Sequence, residues 1–189
     1  AVLPEYWLNE GGQSATGALI DHVIQSHPCY ETLLTQAKSQ GQTIYEVLNA
    51  LLRKMAGEPE DIAFLTRDMH ILPYFHGNRS PRANPTLTGA ITGLKLSRTP
   101  EDMALQYLAT IQAIALGTRH IIETMNQSGY TIDTIMASGG GTKNPIFVQE
   151  HANATGCAML LPEESEAMLL GGAMMGTIAA GVFDTFPEA

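Results

Sequence analysis

Ser138-Gly139-Gly140-Gly141 separates a strand-like run, Ile132 to Ala137, from a helical run over Pro145 to Thr155 that Gly156 closes. A second short strand, Cys157 to Leu161, follows, and then an apolar helix over Ala167 to Phe183. This order is that of a parallel α/β unit, because a parallel connection needs a crossover long enough to hold a helix. Three consecutive glycines leave no side chains in the loop, so a ligand can touch the backbone directly. Asn144 and Pro145 open the next helix, whose free N–H groups face the same space. A tight turn without a ligand is the plainer alternative, but two glycines would satisfy it. The third tips the expectation toward ligand binding, as at other strand–glycine–helix sites.

The rest of the chain reads mainly as helix. Ser14 to Ser26 carries Ala15, Leu19 and Val23 on one face, and Tyr30 to Gln40 stops at Gly41. Ile44 to Ala56 has a capping-box pattern in Thr43 and Glu46, a stripe of Ile44, Val47, Leu48, Leu51 and Met55, and Gly57 as its stop. Ile71 to Phe75 reads as a short extended segment, and Gly77 to Pro85 as a long loop dense in turn formers. Thr99, Pro100, Glu101 and Asp102 open the longest helix as N-cap, first residue and first-turn acids. Its buried face is expected to hold Met103, Tyr107, Ile111, Ile114, Ile121, Ile122 and Met125, with Gly129 ending it. Two convincing strands are too few for a self-contained doubly wound sheet. Either further strands precede this chain, or the domain is mainly helical.

At 189 residues the chain fits one domain with a substantial core. Hydrophobic residues make up 44% and charged residues 15%, which excludes a disordered tail. The net charge of −9 disfavours nucleic acid as the main partner, since such a surface repels phosphate backbones. A small anion held by backbone N–H groups stays compatible with it. Cys29 and Cys157 are far apart with no CxxC, so free thiols and a cytoplasmic location are expected. Ala167 to Phe183 is uncharged but shorter than the ~20 residues a membrane span needs. A soluble helix buried all round is expected there, its glycines allowing close approach to a sheet. The start lacks the features of a signal peptide and an initiator Met, as in a fragment or a processed chain.

Several chemistries can be set aside. GxxxxGK[ST] is missing, and so is a GxSxG elbow. The six histidines form no HxH, HExxH or His/Cys pair at ligand spacing, so no zinc site is expected. GxGxxG fails at its last position, where Asn144 stands. Glu163 and Glu164 nevertheless lie about 20 residues on, where a dinucleotide fold places its ribose-binding acid. A dinucleotide-binding oxidoreductase therefore stays open, as does a non-catalytic interaction domain whose glycine loop is only a turn.

Asn9 to Gly17 is the second candidate site. Glu10, Gln13 and Ser14 around Gly11-Gly12 would suit a polyol, which needs several directed hydrogen bonds. On the residues alone, a helix cap with a glycine hinge is the favoured account. Gly17 lies inside the expected helix, at a cost of about 1 kcal/mol against Ala, and such a glycine often marks close approach of a ligand or backbone. Arg79 and Arg82 could meet phosphate, though a solvated loop fits them better.

The stretch Met136-Ala137-Ser138-Gly139-Gly140-Gly141-Thr142-Lys143-Asn144-Pro145-Ile146-Phe147-Val148-Gln149 resembles the adenosine-binding motif of FGGY carbohydrate kinases. Ala154 to Cys157, Glu164 to Ala167 and Gly171 to Ala173 continue the similarity. So do Gly77 to Pro81, Gly89 to Leu94, and Tyr6 to Ser14. The resemblance covers nearly the whole chain and is closest to the ribulokinase-like branch. It departs from the family signature at Gln106 and Tyr107, where small residues are usual.

The resemblance implies a helix-rich α/β fold: an actin-like, ribonuclease-H-like ATPase domain, here without its first strands. It implies ATP as cofactor, with the backbone at Gly139, Gly140 and Gly141, the side chain of Asn144, and Gly17 near the nucleotide. It implies that Glu10 contacts sugar hydroxyls. Mg²⁺ would be held mainly by phosphates and by residues outside this chain. The catalytic base and a phosphate-holding turn would precede Tyr6, and a sugar-binding N-terminal domain, also outside this chain, is its expected partner. The chain alone is therefore expected to be inactive, with an exposed sheet edge or apolar patch through which a homodimer could form.

Overall fold

The computed structural model describes residues 7–164, 166–186 and 188–189. Tyr6 and Ser165, which belong to the motifs quoted above, lie outside them.

Local signals fix the central helices. In α3, Ile44–Ala56, Thr43 accepts from the Glu46 N–H while the Glu46 carboxylate accepts from the Thr43 N–H, so two orphan donors are satisfied at once. Those bonds hold the exposed Glu46 carboxyl below its usual range. The long helix α4, Pro100–Gln127, starts the same way, with Thr99 accepting from Asp102 N–H. Ahead of them run α1, Gly17–Gln25, and α2, Tyr30–Ser39, and a short 3-10 helix, Pro59–Phe64, follows α3. Ile20, Ile24, Leu33, Leu48, Leu52, Met103, Tyr107, Leu108, Ile111 and Ile114 form one buried cluster where α1 to α4 meet.

Two differences from the expected pattern appear in this half. α1 starts at Gly17 rather than Ser14, because Ala15 has φ +65° and breaks any helix before it. Gly17 is thus the first residue of α1 and not an interior one. Along α4, Met103, Tyr107, Ile111 and Ile114 are buried, but Ile121, Ile122 and Met125 are only half-buried, since the C-terminal half of the helix emerges beside a cleft.

The strands are short. β1, His70–Leu72, pairs antiparallel with β2, Ala90–Thr92, in the register His70 to Thr92. β3, Thr134–Met136, pairs in parallel with β4, Ala158–Leu160, and α5, Pro145–Thr155, forms the crossover between them. Gly156 ends α5 in the left-handed conformation, with its N–H on the Ala152 carbonyl. α6, Ala167–Ala179, is shorter than expected and has no buried residue among those described. It is not the fully buried helix its composition suggested. Among the described residues, no helix is long and apolar enough to cross a membrane. Cys157 is buried, Cys29 half-buried, and both are free.

Candidate functional site

β3 delivers the chain into the glycine loop. Its lead-in is pinned to the end of α4, where Asn126 accepts from the Ile132 N–H at 2.9 Å and donates to its carbonyl at 3.3 Å. The three glycines then differ in what they require. Gly139 has φ +92°, which disfavours any side chain. Gly141 packs under Phe147, whose ring would lie 2.9 Å from an added Cβ. Gly140 opens a 3-10 turn, Gly140–Lys143, with φ outside the left-handed region, and a Cβ there would meet nothing within 4 Å. The fold gives Gly140 no reason to lack a side chain.

Asn144 closes the loop and caps α5. Its Oδ1 accepts from Ile146 N–H at 3.2 Å and from Asn49 Nδ2 at 3.0 Å, and its Nδ2 donates to the Tyr107 hydroxyl at 2.6 Å. Tyr107 donates in turn to Asn49 Oδ1 at 3.1 Å. Asn49 and Tyr107 are buried, and burial pushes the Tyr107 hydroxyl up to about 12, with the bond from Asn144 acting in the opposite direction. Behind the loop, Phe147 stacks on His151 with ring centroids 4.1 Å apart. His151 donates from Nδ1 to the Phe147 carbonyl at 2.8 Å, and burial lowers its pKa.

The Asn9 to Gly17 segment is docked rather than hinged. An added Cβ on Gly11 would sit 2.5 Å from Ile121 Cγ2, so the loop lies directly on α4. Gln13 donates to the Ile114 carbonyl and to Thr118 Oγ1, both at 2.9 Å. Gly12 donates its N–H to Ser80 Oγ at 3.1 Å, and the Arg79 guanidinium lies over Gly12 to pair with Glu10. Arg79, read from sequence as a solvated loop residue, is exposed but has this partner; Arg82 lends its N–H to the Asn78 side chain. No local pattern marks a contact between residues 69 positions apart. The Gly77 to Pro85 loop itself is closed by reciprocal 2.9 Å bonds between Asn78 and Asn84.

Gly11, Gly12, Gln13 and Thr16 share a cleft of about 340 Å³ with Thr118, Ile121, Thr134 and Ile135. The Glu10 segment and the strand that feeds the glycine loop therefore line one space. Gly17 follows directly, exposed at the first position of α1, and a Cβ there would meet nothing within 4 Å. No cluster of three or more His, Cys, Asp or Glu able to hold a metal ion occurs among the described residues.

The model of the FGGY family of carbohydrate kinases, C-terminal domain, matches residues 1–180. This chain belongs to the FGGY family. An FGGY carbohydrate kinase domain-containing protein of Xenopus laevis is 51% identical over the whole chain, which covers 34% of that protein. A D-ribulokinase of Saccharomyces cerevisiae is 35% identical over 95% of the chain and 26% of its own length. The structure of a ligand-bound xylulose kinase from Lactobacillus acidophilus matches 91% of the chain and 31% of its own, with TM-score 0.62 and 20% identity. The fold is thus that of sugar kinases of the actin-like ATPase type, in its helix-rich C-terminal part. This FGGY chain spans about a third of the length of the curated relatives it matches.

Proposed function

We propose that this chain is the adenosine-binding part of a kinase that transfers the ATP γ-phosphoryl group to a hydroxyl of a ketopentose, ribulose-like, or a related polyol. The single observation that carries the nucleotide reading is Gly140. Its neighbours Gly139 and Gly141 are explained by backbone conformation and by Phe147, whereas Gly140 is unhindered and unstrained. A glycine with no internal reason, on an open loop before a helix N-terminus, fits a surface that a ligand must approach closely. Gly17 has the same character, and the reading places it against the nucleotide too.

Family membership and the similarity to ribulokinases support the sugar, and Glu10 is the residue proposed to meet its hydroxyls. Its carboxylate pairs with Arg79, whose guanidinium lies over Gly12, a residue that lines the shared cleft. Phosphoryl transfer of this kind works mainly through positioning and charge neutralisation, which Mg²⁺ supplies when bound to the phosphates. We assign the catalytic base and the metal's protein contacts to the preceding two-thirds of the full-length protein. The cytoplasm is the proposed location, in keeping with two free thiols.

Steady-state kinetics test the reading. The full-length protein should consume ATP only when a ketopentose or polyol is present, and the 189-residue chain alone should show no sugar-dependent ATP hydrolysis. Turnover by the isolated chain would contradict the assignment of catalysis to residues outside it.

A further inference from the structure

We propose that Tyr107 and Asn49 are positioning residues that lock the Asn144 carboxamide so that it can only donate a hydrogen bond to the bound base. The inference rests on the reading of Asn144 as an adenosine contact. Three side chains from three separate elements form a closed ring. Asn144 donates to Tyr107 at 2.6 Å, Tyr107 to Asn49 at 3.1 Å, and Asn49 to Asn144 at 3.0 Å. Each member gives one hydrogen bond and takes one, in a buried setting where such bonds polarise one another.

The orientation of the amide follows from its fourth partner. The Ile146 backbone N–H can only donate, so the atom facing it at 3.2 Å has to be Oδ1. Oδ1 then holds two donors, Ile146 N–H and Asn49 Nδ2, which fills its two lone pairs. Nδ2 carries two hydrogens, and Tyr107 is its one partner among the described contacts. Half-buried Asn144 therefore presents an N–H to a ligand and no free acceptor. The matching atom on adenine is a ring nitrogen, since the exocyclic amine is itself a donor. Burial keeps the Tyr107 hydroxyl protonated and so able to hold its place in the ring at any physiological pH.

The test uses the full-length kinase. Tyr107→Phe keeps the aromatic packing and removes only the hydroxyl. We expect the KM for ATP to rise about three- to tenfold, the size of one lost hydrogen bond, with the KM for sugar unchanged. Asn49→Ala should act the same way from the opposite corner, and it serves as the second route if Tyr107→Phe folds poorly. Asn144→Ala should raise the KM for ATP at least as far, and adding Tyr107→Phe to it should bring no further rise, because Tyr107 acts through Asn144.

If Asn144→Ala leaves the KM for ATP unchanged, the adenosine reading of Asn144 fails and the lock with it. If Asn144→Ala raises it while Tyr107→Phe and Asn49→Ala lower only the melting temperature, the lock is wrong and the adenosine reading stands. ATP analogues with one ring nitrogen replaced by C–H probe the donor. Wild type should be penalised by one of them and Asn144→Ala should not. A penalty seen only on removing the exocyclic amine would overturn the donor assignment.

Discussion

The helical half and the C-terminal α/β unit of this chain are built to different standards. Where α1 to α4 meet, Leu48, Leu52, Met103, Tyr107, Leu108 and Ile111 are all fully buried. In the unit formed by β3, β4 and α6, Met136, Met168 and Leu169 are 79%, 78% and 71% exposed. Leu160, Leu161, Leu170 and Met175 are exposed as well. A lone parallel pair of strands is rarely stable, because parallel sheets are covered on both faces. The contrast teaches that the first region covers its main core within this chain, whereas the second leaves a run of large apolar side chains exposed. We assign their missing partner to the preceding part of the full-length kinase, whose strands would extend the β3–β4 sheet and cover α6.

Mutations can break that comparison. The largest effect belongs to Leu48→Ala, which should cost about 2–5 kcal/mol of stability in this chain by chemical denaturation, since it opens a cavity in a buried core. Leu169→Ala should change the stability of the same chain by less than about 0.5 kcal/mol, as expected for a surface site. In the full-length protein it should cost about 2 kcal/mol or more if the proposed cover exists. Equal small effects in both settings would show that nothing docks there. Next in size, Thr43→Ala removes the capping box of α3 and should cost about 1 kcal/mol, read as a lower denaturation midpoint.

The smallest effect is one of pH. Burial lowers the pKa of His151 in the folded chain, so below about 6.5 the unfolded chain takes up a proton that the folded one resists. Stability should therefore fall as the pH drops through that value and be fully present above it. His151→Gln should flatten that part of the pH–stability curve. An unchanged slope would mean that the stack of Phe147 on His151 accepts the charged ring.

The helical half was the legible one, because its signals are local. Thr43 with Glu46, Thr99 with Pro100, and Gly57 and Gly156 each mark an end within a few residues of the element they bound. Where distant contacts decide, the sequence was silent. Gln13 is drawn onto α4 and Ala15 turns left-handed, so α1 begins late. β2 is three residues between two glycines, too short to show alternation, and is held by pairing with β1. The exposure of α6 was illegible for another reason, since an uncharged helix looks the same whether its cover lies in this chain or elsewhere.

At the candidate site, the glycine loop and the start of α5 at Asn144 and Pro145 were readable from the sequence alone. The partners of Asn144 were not, since Asn49 lies 95 residues away and Tyr107 lies 37. Nor was the separation of the three glycines into one conformational, one packed and one unconstrained position, which is a property of the folded loop.

That separation makes Gly140 the most direct test of the account. Titration of the full-length protein with ATP, wild type against Gly140→Leu, should show affinity falling by about tenfold or more, ~1.4 kcal/mol, with the melting temperature essentially unchanged. Unchanged ATP affinity in a folded Gly140→Leu variant would contradict the claim that this loop lies against the nucleotide.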